Sequence, residues 1–133
     1  PTKEQQEKHA LVVQGTDQTY QLAKKYKVKL AWGTDLLFNP ANTKNQNQGI
    51  LKLQKWFSNF EILKMVTHDN AELLALSGAR NPYPGKLGSI EEGAWADLIL
   101  VDGDVLKDIT LLGDPERNFA MIMKGGTIYK NKI

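Results

Sequence analysis

The stretch Val28-Lys29-Leu30-Ala31-Trp32-Gly33-Thr34-Asp35 decides the fold that the sequence predicts. Val28, Leu30 and Trp32 alternate with Lys29 and Ala31, which is the two-residue period of a β-strand. Gly33 allows the backbone to turn, and Asp35 follows just beyond the carboxyl end of the strand. In α/β proteins, ligands bind and catalytic groups project at that end. The stretch therefore predicts an α/β fold with Asp35 as a candidate functional residue.

The composition is that of an ordinary globular domain. The 133 residues are 41% hydrophobic and 24% charged, and the net charge is only +2. A chain of this length buries a core, and its nearly balanced charge argues against a nucleic-acid or membrane-surface partner. There is no cysteine, which excludes disulfides and thiolate metal ligands. No apolar run approaches the ~20 residues of a membrane span. We expect a cytoplasmic protein, with export of a parent that carries an upstream signal left open.

Helices dominate the prediction for the first part of the chain. Residues 3–14 predict one helix and residues 16–26 a second, with Gly15 as a possible interruption. The polar residues 39–49 have no periodicity and predict a loop. Apolar spacing over 50–57 predicts a short amphipathic helix. Two capping-box patterns, Ser58 with Glu61 and Asp69 with Glu72, predict the start of two further helices.

A change of period marks the second part of the chain. Residues 79–85 carry proline and glycine and predict a domain boundary, which separates residues 1–80 from residues 81–133. Beyond it, residues 87–90 predict a short strand and the apolar run 98–101 predicts a strand buried on both faces. Gly125-Gly126 separates two strand-like runs and predicts a β-hairpin.

Few residues of the chain are candidates for chemistry. Asp35 is the first, although an aspartate after a strand is more often a turn former or helix cap than a catalyst. His9 and His68 are the only histidines and lie far apart, so neither has a histidine at metal-ligand spacing. His68 could pair with the adjacent Asp69. The chain has no phosphate-binding glycine loop and no serine nucleophile motif.

Four parts of the chain carry a resemblance to a known family. They are Lys29-Leu30-Ala31-Trp32-Gly33-Thr34-Asp35, Thr67-His68-Asp69-Asn70-Ala71-Glu72-Leu73-Leu74, residues 86–103 (KLGSIEEGAWADLILVDG), and Asp114-Pro115-Glu116-Arg117 followed by residues 123–129 (MKGGTIY). In this order they resemble the carboxyl-terminal third of the metal-dependent amidohydrolase superfamily. The greatest similarity is to its imidazolonepropionase-like and Xaa-Pro dipeptidase-like branch.

The resemblance implies a fold and a role for one residue. It implies that residues 1–80 are the end of a (β/α)8 TIM-like barrel, with residues 28–35 as its eighth strand. Residues 81–133 would then be the carboxyl-terminal strands of a small β-sandwich. Asp35 matches the aspartate that contacts the metal and handles the proton of the attacking water. The implied reaction is hydrolysis of an amide, peptide-like or cyclic amide C–N bond, with one or two divalent ions, for which we expect zinc.

The parts of the barrel and of the metal site that this sequence lacks predict further partners. A whole barrel needs ~250 residues, and the other metal ligands of the family have no counterpart in this sequence. We therefore expect the remainder of the barrel, in the same parent chain or in a second polypeptide, to supply them. We also expect a small-molecule substrate, a possible homo-oligomer, and no hydrolysis by the 133 residues alone. The alternative is a non-catalytic interaction or assembly module that retains part of the fold.

Overall fold

A computed structural model describes residues 1–36, 40–83 and 85–133. Residues 37–39, at the start of the predicted polar loop, and Pro84, in the predicted link, lie outside the described residues. The chain forms two compact units, Pro1–Leu30 and Ala31–Ile133. The predicted boundary at residues 80 and 81 falls inside the second unit. The assignment of 1–80 and 81–133 to two domains of a parent enzyme stays a prediction.

The first unit is built on one long helix, α1, Lys3–Lys25. Thr2 and Gln5 form a capping box at its start. The predicted interruption at Gly15 is wrong, because one glycine inside a long helix costs only about 1 kcal/mol. Thr16, the first residue of the second helix that the sequence predicts, donates its hydroxyl to the Val12 carbonyl at 2.8 Å within the same helix.

The second unit begins its regular structure with short helical segments. A 3-10 helix, Pro40–Asn45, leads into α2, Gln46–Leu51, and a second 3-10 segment, Lys52–Lys55, follows. The helix predicted over 50–57 is thus helical only in part, and the loop predicted over 39–49 is largely helical where it is described. Local hydrogen bonds support this conformation, since Thr43 Oγ1 donates to the Pro40 carbonyl at 2.7 Å.

A longer helical stretch follows without a break. It consists of α3 (Asn59–Lys64), a π-helical turn (Met65–Asp69) and α4 (Asn70–Ala75). The capping box of Ser58 and Glu61 is confirmed. The one predicted at Asp69 is wrong, because Asp69 has helical backbone angles and its side chain makes no capping hydrogen bond. Its carboxylate instead accepts hydrogen bonds from Lys64 and His68.

The sheet has three antiparallel strands in the order β1-β2-β3. They are β1 (Leu98–Val101), β2 (Phe119–Lys124) and β3 (Thr127–Asn131), and a short helix, α5 (Pro115–Asn118), precedes β2. The predicted hairpin is confirmed. Gly125 and Gly126 have φ of 54° and 80°, as a two-residue turn with both central residues left-handed requires. The burial predicted for both faces of β1 is wrong, since Ile99 is 56% exposed at the edge strand.

Two predicted strands are absent from the described residues. Residues 28–36 have no regular secondary structure, and Lys86 and Ala94 make only an isolated bridge next to the strand predicted over 87–90. A strand exists only when a neighbouring strand accepts and donates its backbone hydrogen bonds. No described strand lies beside either segment. The helices and the three-stranded sheet together confirm the mixed α/β class. The barrel remains an implication of the resemblance.

The core of the second unit lies between its helices and the chain that leads into β2. Its buried side chains come from both parts of the sequence, and Ile62 and Ile109 are fully buried. Among the residues of this unit that the structure describes, the buried apolar side chains are Leu53, Phe57, Ile62, Met65, Ile109, Leu112 and Phe119. The helices that follow residue 40 are thus tied to the second half of the chain. Among the described residues, no helix has the length and apolar character needed to cross a membrane.

Candidate functional site

Asp35 lies near the end of a short segment of the second unit, residues 31–36, that has no regular secondary structure. Its side chain is exposed, and its φ of 51° places it in the left-handed region. Few residues other than glycine adopt this conformation, and aspartate is among those that tolerate it best. An unfavourable backbone conformation persists only where the surrounding structure enforces it, and such residues cluster at functional sites. The geometry is thus consistent with a functional role for Asp35.

The Asn70 side chain holds this segment by the backbone of Trp32. The Trp32 N–H donates to Asn70 Oδ1 at 2.8 Å, and Asn70 Nδ2 donates to the Trp32 carbonyl at 3.0 Å. One side-chain amide therefore satisfies both backbone groups of one residue, as a neighbouring strand would. Both hydrogen bonds are part-buried. We call this pair of hydrogen bonds the Asn70 clamp.

The π-helical turn explains how Asn70 presents its amide. In a regular α-helix the Asn70 N–H would bond to the Val66 carbonyl, but here it donates to the carbonyls of Met65 and Thr67. The Val66 carbonyl instead accepts a longer bond of 3.4 Å from Asn70 Nδ2. The amide nitrogen of Asn70 thus contacts its own helix and the Trp32 segment together. Such single π-turns occur often at functional sites.

Two glycines allow close packing around the clamp. A Cβ at Gly88 would lie 2.6 Å from the Thr67 carbonyl oxygen, so residue 88 rests directly on the backbone of the π-turn. A Cβ at Gly49 would lie 2.9 Å from Cζ2 of Trp32, so the indole lies against α2. These approaches place α2, the π-turn and residues 88–90 around the Trp32 segment. The second unit therefore builds one cavity here from distant parts of the sequence.

The cavity has a volume of about 680 Å³. Its wall includes Trp32, Gly33 and Thr34, the three residues that precede Asp35. Apolar side chains form most of the rest, and Asn47, Asn70 and Asp97 add polar groups. The Asp97 carboxylate is already engaged, since it accepts a hydrogen bond of 2.6 Å from the Gly125 N–H. A cavity with apolar walls and a few polar groups is typical of small-molecule sites.

A second group of polar side chains lies on the helical stretch that carries Asn70. Atoms of His68, Asp69 and Glu72 that could bind a metal lie within 4.8 Å of one another, and His68 Nδ1 is 3.0 Å from Asp69 Oδ1. The pairing of His68 with Asp69, which the sequence left open, is present. Burial opposes ionisation of Asp69, but hydrogen bonds from Lys64 and His68 outweigh it and lower the pKa of the carboxyl. These contacts describe an ion-pair network, and Asp35 is not a member of it.

The described residues contain one part of the metal site that the resemblance implies. The exposed carboxylate of Asp35 is a chemically suitable donor for a divalent ion. Among the described ranges, the His68 group is the one set of three potential ligands that lie together, and it does not include Asp35. His9 lies on α1, in the other compact unit. Among the described residues, Asp35 is thus not part of a group of three potential metal ligands.

Comparison with solved structures confirms the resemblance to amidohydrolases. An amidohydrolase is 29% identical over 87% of this chain, with a TM-score of 0.73. A prolidase, solved in complex with N-methylphosphonate-L-proline, is 27% identical over 86% of this chain, with a TM-score of 0.71. The A. niger ochratoxinase shares the fold over 98% of this chain, with a TM-score of 0.78 at 23% identity.

The chain spans about a quarter of the length of these structures, 26% of the first two and 28% of the third. This coverage is consistent with a carboxyl-terminal segment of an amidohydrolase-superfamily protein. No protein-family model matches the sequence, and a search of curated proteins finds no match. The fold of this chain is similar to that of about a quarter of an amidohydrolase-type structure.

Sequence reasoning selected Asp35 but missed the residues that hold its segment. Asn70 lies inside the segment 67–74, where the sequence predicts only a capping box of Asp69 and Glu72. Its partner, Trp32, is 38 residues away along the chain. Gly88 gave one signal, because a glycine between Leu87 and Ser89 is unexpected inside a strand and often marks a close backbone approach.

Proposed function

We propose that this chain is part of a metal-dependent amidohydrolase that hydrolyses a C–N bond in an amide, a peptide-like compound or a cyclic amide. The observation that supports the proposal most is the fold likeness to an amidohydrolase and a prolidase, over more than four-fifths of this chain. Residues 1–80 would complete the barrel of the parent enzyme and residues 81–133 its β-sandwich. The strand implied for residues 28–35 would form when neighbouring barrel strands bind its backbone groups, except those of Trp32, which the Asn70 side chain already binds.

In this proposal Asp35 is both metal ligand and general acid–base. A divalent ion, for which zinc is our proposal, would lower the pKa of a bound water towards neutrality. The Asp35 carboxylate would accept the proton of the attacking water and later donate it to the leaving nitrogen. Its exposure and its place next to the cavity wall at Thr34 are consistent with that role.

The remainder of the barrel is the partner that this function requires. It would supply the other metal ligands and cover the apolar residues of the segment 28–36. The 133 residues alone would then hydrolyse nothing. A cytoplasmic location, a homo-oligomeric parent, a small-molecule substrate, and the absence of nucleic-acid and membrane partners stay part of the proposal without a direct test.

The first experiment uses the complete parent enzyme and an Asp35→Asn variant. Asparagine also tolerates the left-handed backbone, so the substitution removes the charge without adding strain. Hydrolysis of dipeptides, N-acyl amino acids and cyclic amides is followed by release of amine. We expect kcat to fall about 100- to 10,000-fold in the variant. Asp102→Asn, at another exposed aspartate outside the site, is the matched control and should retain full activity.

Metal removal provides a second test of the same proposal. Dialysis against a chelator should abolish hydrolysis, and added zinc should restore it. If the parent enzyme binds no divalent ion and Asp35→Asn leaves its activity unchanged, the proposal is wrong. The alternative of a non-catalytic interaction module would then account for the retained fold.

A further inference from the structure

We propose that Asn70 is the positioning residue of Asp35. Its side-chain amide would fix the segment that carries the carboxylate, and it would do so through the backbone of Trp32 without touching the reacting atoms. The inference rests on the proposed function, because it assigns Asn70 to the same site. It adds a residue whose role neither the comparisons nor the sequence motifs assign.

The backbone groups of residues 31–36 need hydrogen-bond partners to hold the segment in place. These residues pair with no described strand, so their N–H and carbonyl groups lack the ladder that normally holds a segment straight. The Asn70 clamp replaces that ladder at one residue, with bonds of 2.8 Å and 3.0 Å on the two sides of Trp32. Two hydrogen bonds from one rigid amide fix both the position and the rotation of the Trp32 backbone.

Neighbouring backbone contacts hold the Asn70 clamp rigid. Asn70 is the first residue of α4, directly after the π-turn, and its Nδ2 also contacts the Val66 carbonyl. Gly88 packs on the Thr67 carbonyl, with no room for a Cβ. The amide therefore projects from a backbone that its own helix and residue 88 both constrain. A supported side chain of this kind keeps a functional group within the narrow range that catalysis needs.

The chain between Trp32 and Asp35 is short. Asp35 follows Trp32 by three residues, so at most about 11 Å of extended chain separates them. Gly33 and Thr34 line the cavity on the way. Displacement of Trp32 would therefore move Asp35, and a shift of about 1 Å in a catalytic group can cost about 100-fold in rate. The structure thus assigns Asn70 an effect on kcat that acts only through Asp35.

The structural half of the test is hydrogen exchange of the Trp32 amide in wild-type protein, Asn70→Ala and Asn59→Ala. Asn59 is the matched control, because its Nδ2 also donates to a distant backbone carbonyl, that of Leu106 at 2.9 Å. We expect the Trp32 amide to exchange about tenfold faster in Asn70→Ala and at the wild-type rate in Asn59→Ala. Equal exchange in wild type and Asn70→Ala would overturn the inference.

The catalytic half is a double-mutant cycle in the complete parent enzyme. Asn70→Ala should lower kcat about 10- to 100-fold with little change in KM, and it should have no further effect when Asp35 is already Asn. A full additional loss in the Asp35→Asn background would show a merely structural role and overturn the inference. If wild type is active and Asn70→Ala equally active, this inference alone fails. If wild type hydrolyses nothing, the proposed function fails, and the positioning role fails with it even when the exchange result agrees.

Discussion

Gly88→Ala is the substitution whose effect the structure specifies most closely. Gly88 has a φ of 73°, and an added Cβ would lie 2.6 Å and 2.8 Å from the carbonyl oxygen and carbon of Thr67 and 2.9 Å from His68 Cα. All three contacts are with backbone, so no side-chain rotation relieves them. The left-handed φ costs an alanine roughly 1 kcal/mol, and overpacking adds about 1–3 kcal/mol. We expect the free energy of unfolding to fall by about 3 kcal/mol.

The assay is equilibrium unfolding in urea, followed by far-ultraviolet circular dichroism. Gly93→Ala is the matched control, because Gly93 also has a left-handed φ, 83°, and no described atom lies within 4 Å of its added Cβ. The control should lose only roughly 1 kcal/mol. With a urea dependence of about 1.5 kcal/mol/M, the two midpoints should differ by roughly 1 M. Equal midpoints would refute the conclusion that residue 88 rests on the backbone of the π-turn.

Two further predictions concern the helix that carries Asn70. Ile62 is fully buried, so Ile62→Ala should lower the free energy of unfolding by about 3 kcal/mol, whereas Ile90→Ala, at a side chain that is 91% exposed, should stay within about 0.5 kcal/mol in the same urea assay. Asp69 has a lowered pKa in the folded protein, so its ionised form stabilises the fold above about pH 4, and this contribution disappears as the pH falls through the folded pKa. As the pH is lowered, the urea midpoint of unfolding should therefore fall more steeply for wild type than for Asp69→Asn. Parallel dependences of the midpoint on pH would contradict the Lys64–Asp69–His68 contacts.

Local sequence patterns correctly predicted the structural elements that are formed by residues close together in the sequence. The Gly125-Gly126 hairpin and the Ser58 capping box are confirmed, because the turn and the cap are made by neighbours in the sequence. The strand predicted around Trp32 is absent because strand formation depends on a partner, which the described residues do not provide. Asp69 likewise matched a capping pattern, but the helix continues through it.

The residues of the candidate site likewise include some that the sequence predicts and some that only the structure reveals. Asp35 could be named from the sequence, since a carboxylate after Gly33-Thr34 and the family resemblance both pointed to it. Asn70 could not, because its hydrogen bonds join residues 38 positions apart, and Gly88 is required by a contact with the Thr67 backbone. The sequence by itself determined the α/β class, the hairpin and the candidate carboxylate, which depend on local chemistry. Only the tertiary structure decided what holds that carboxylate, because a side-chain amide and a distant backbone meet only after the chain has folded.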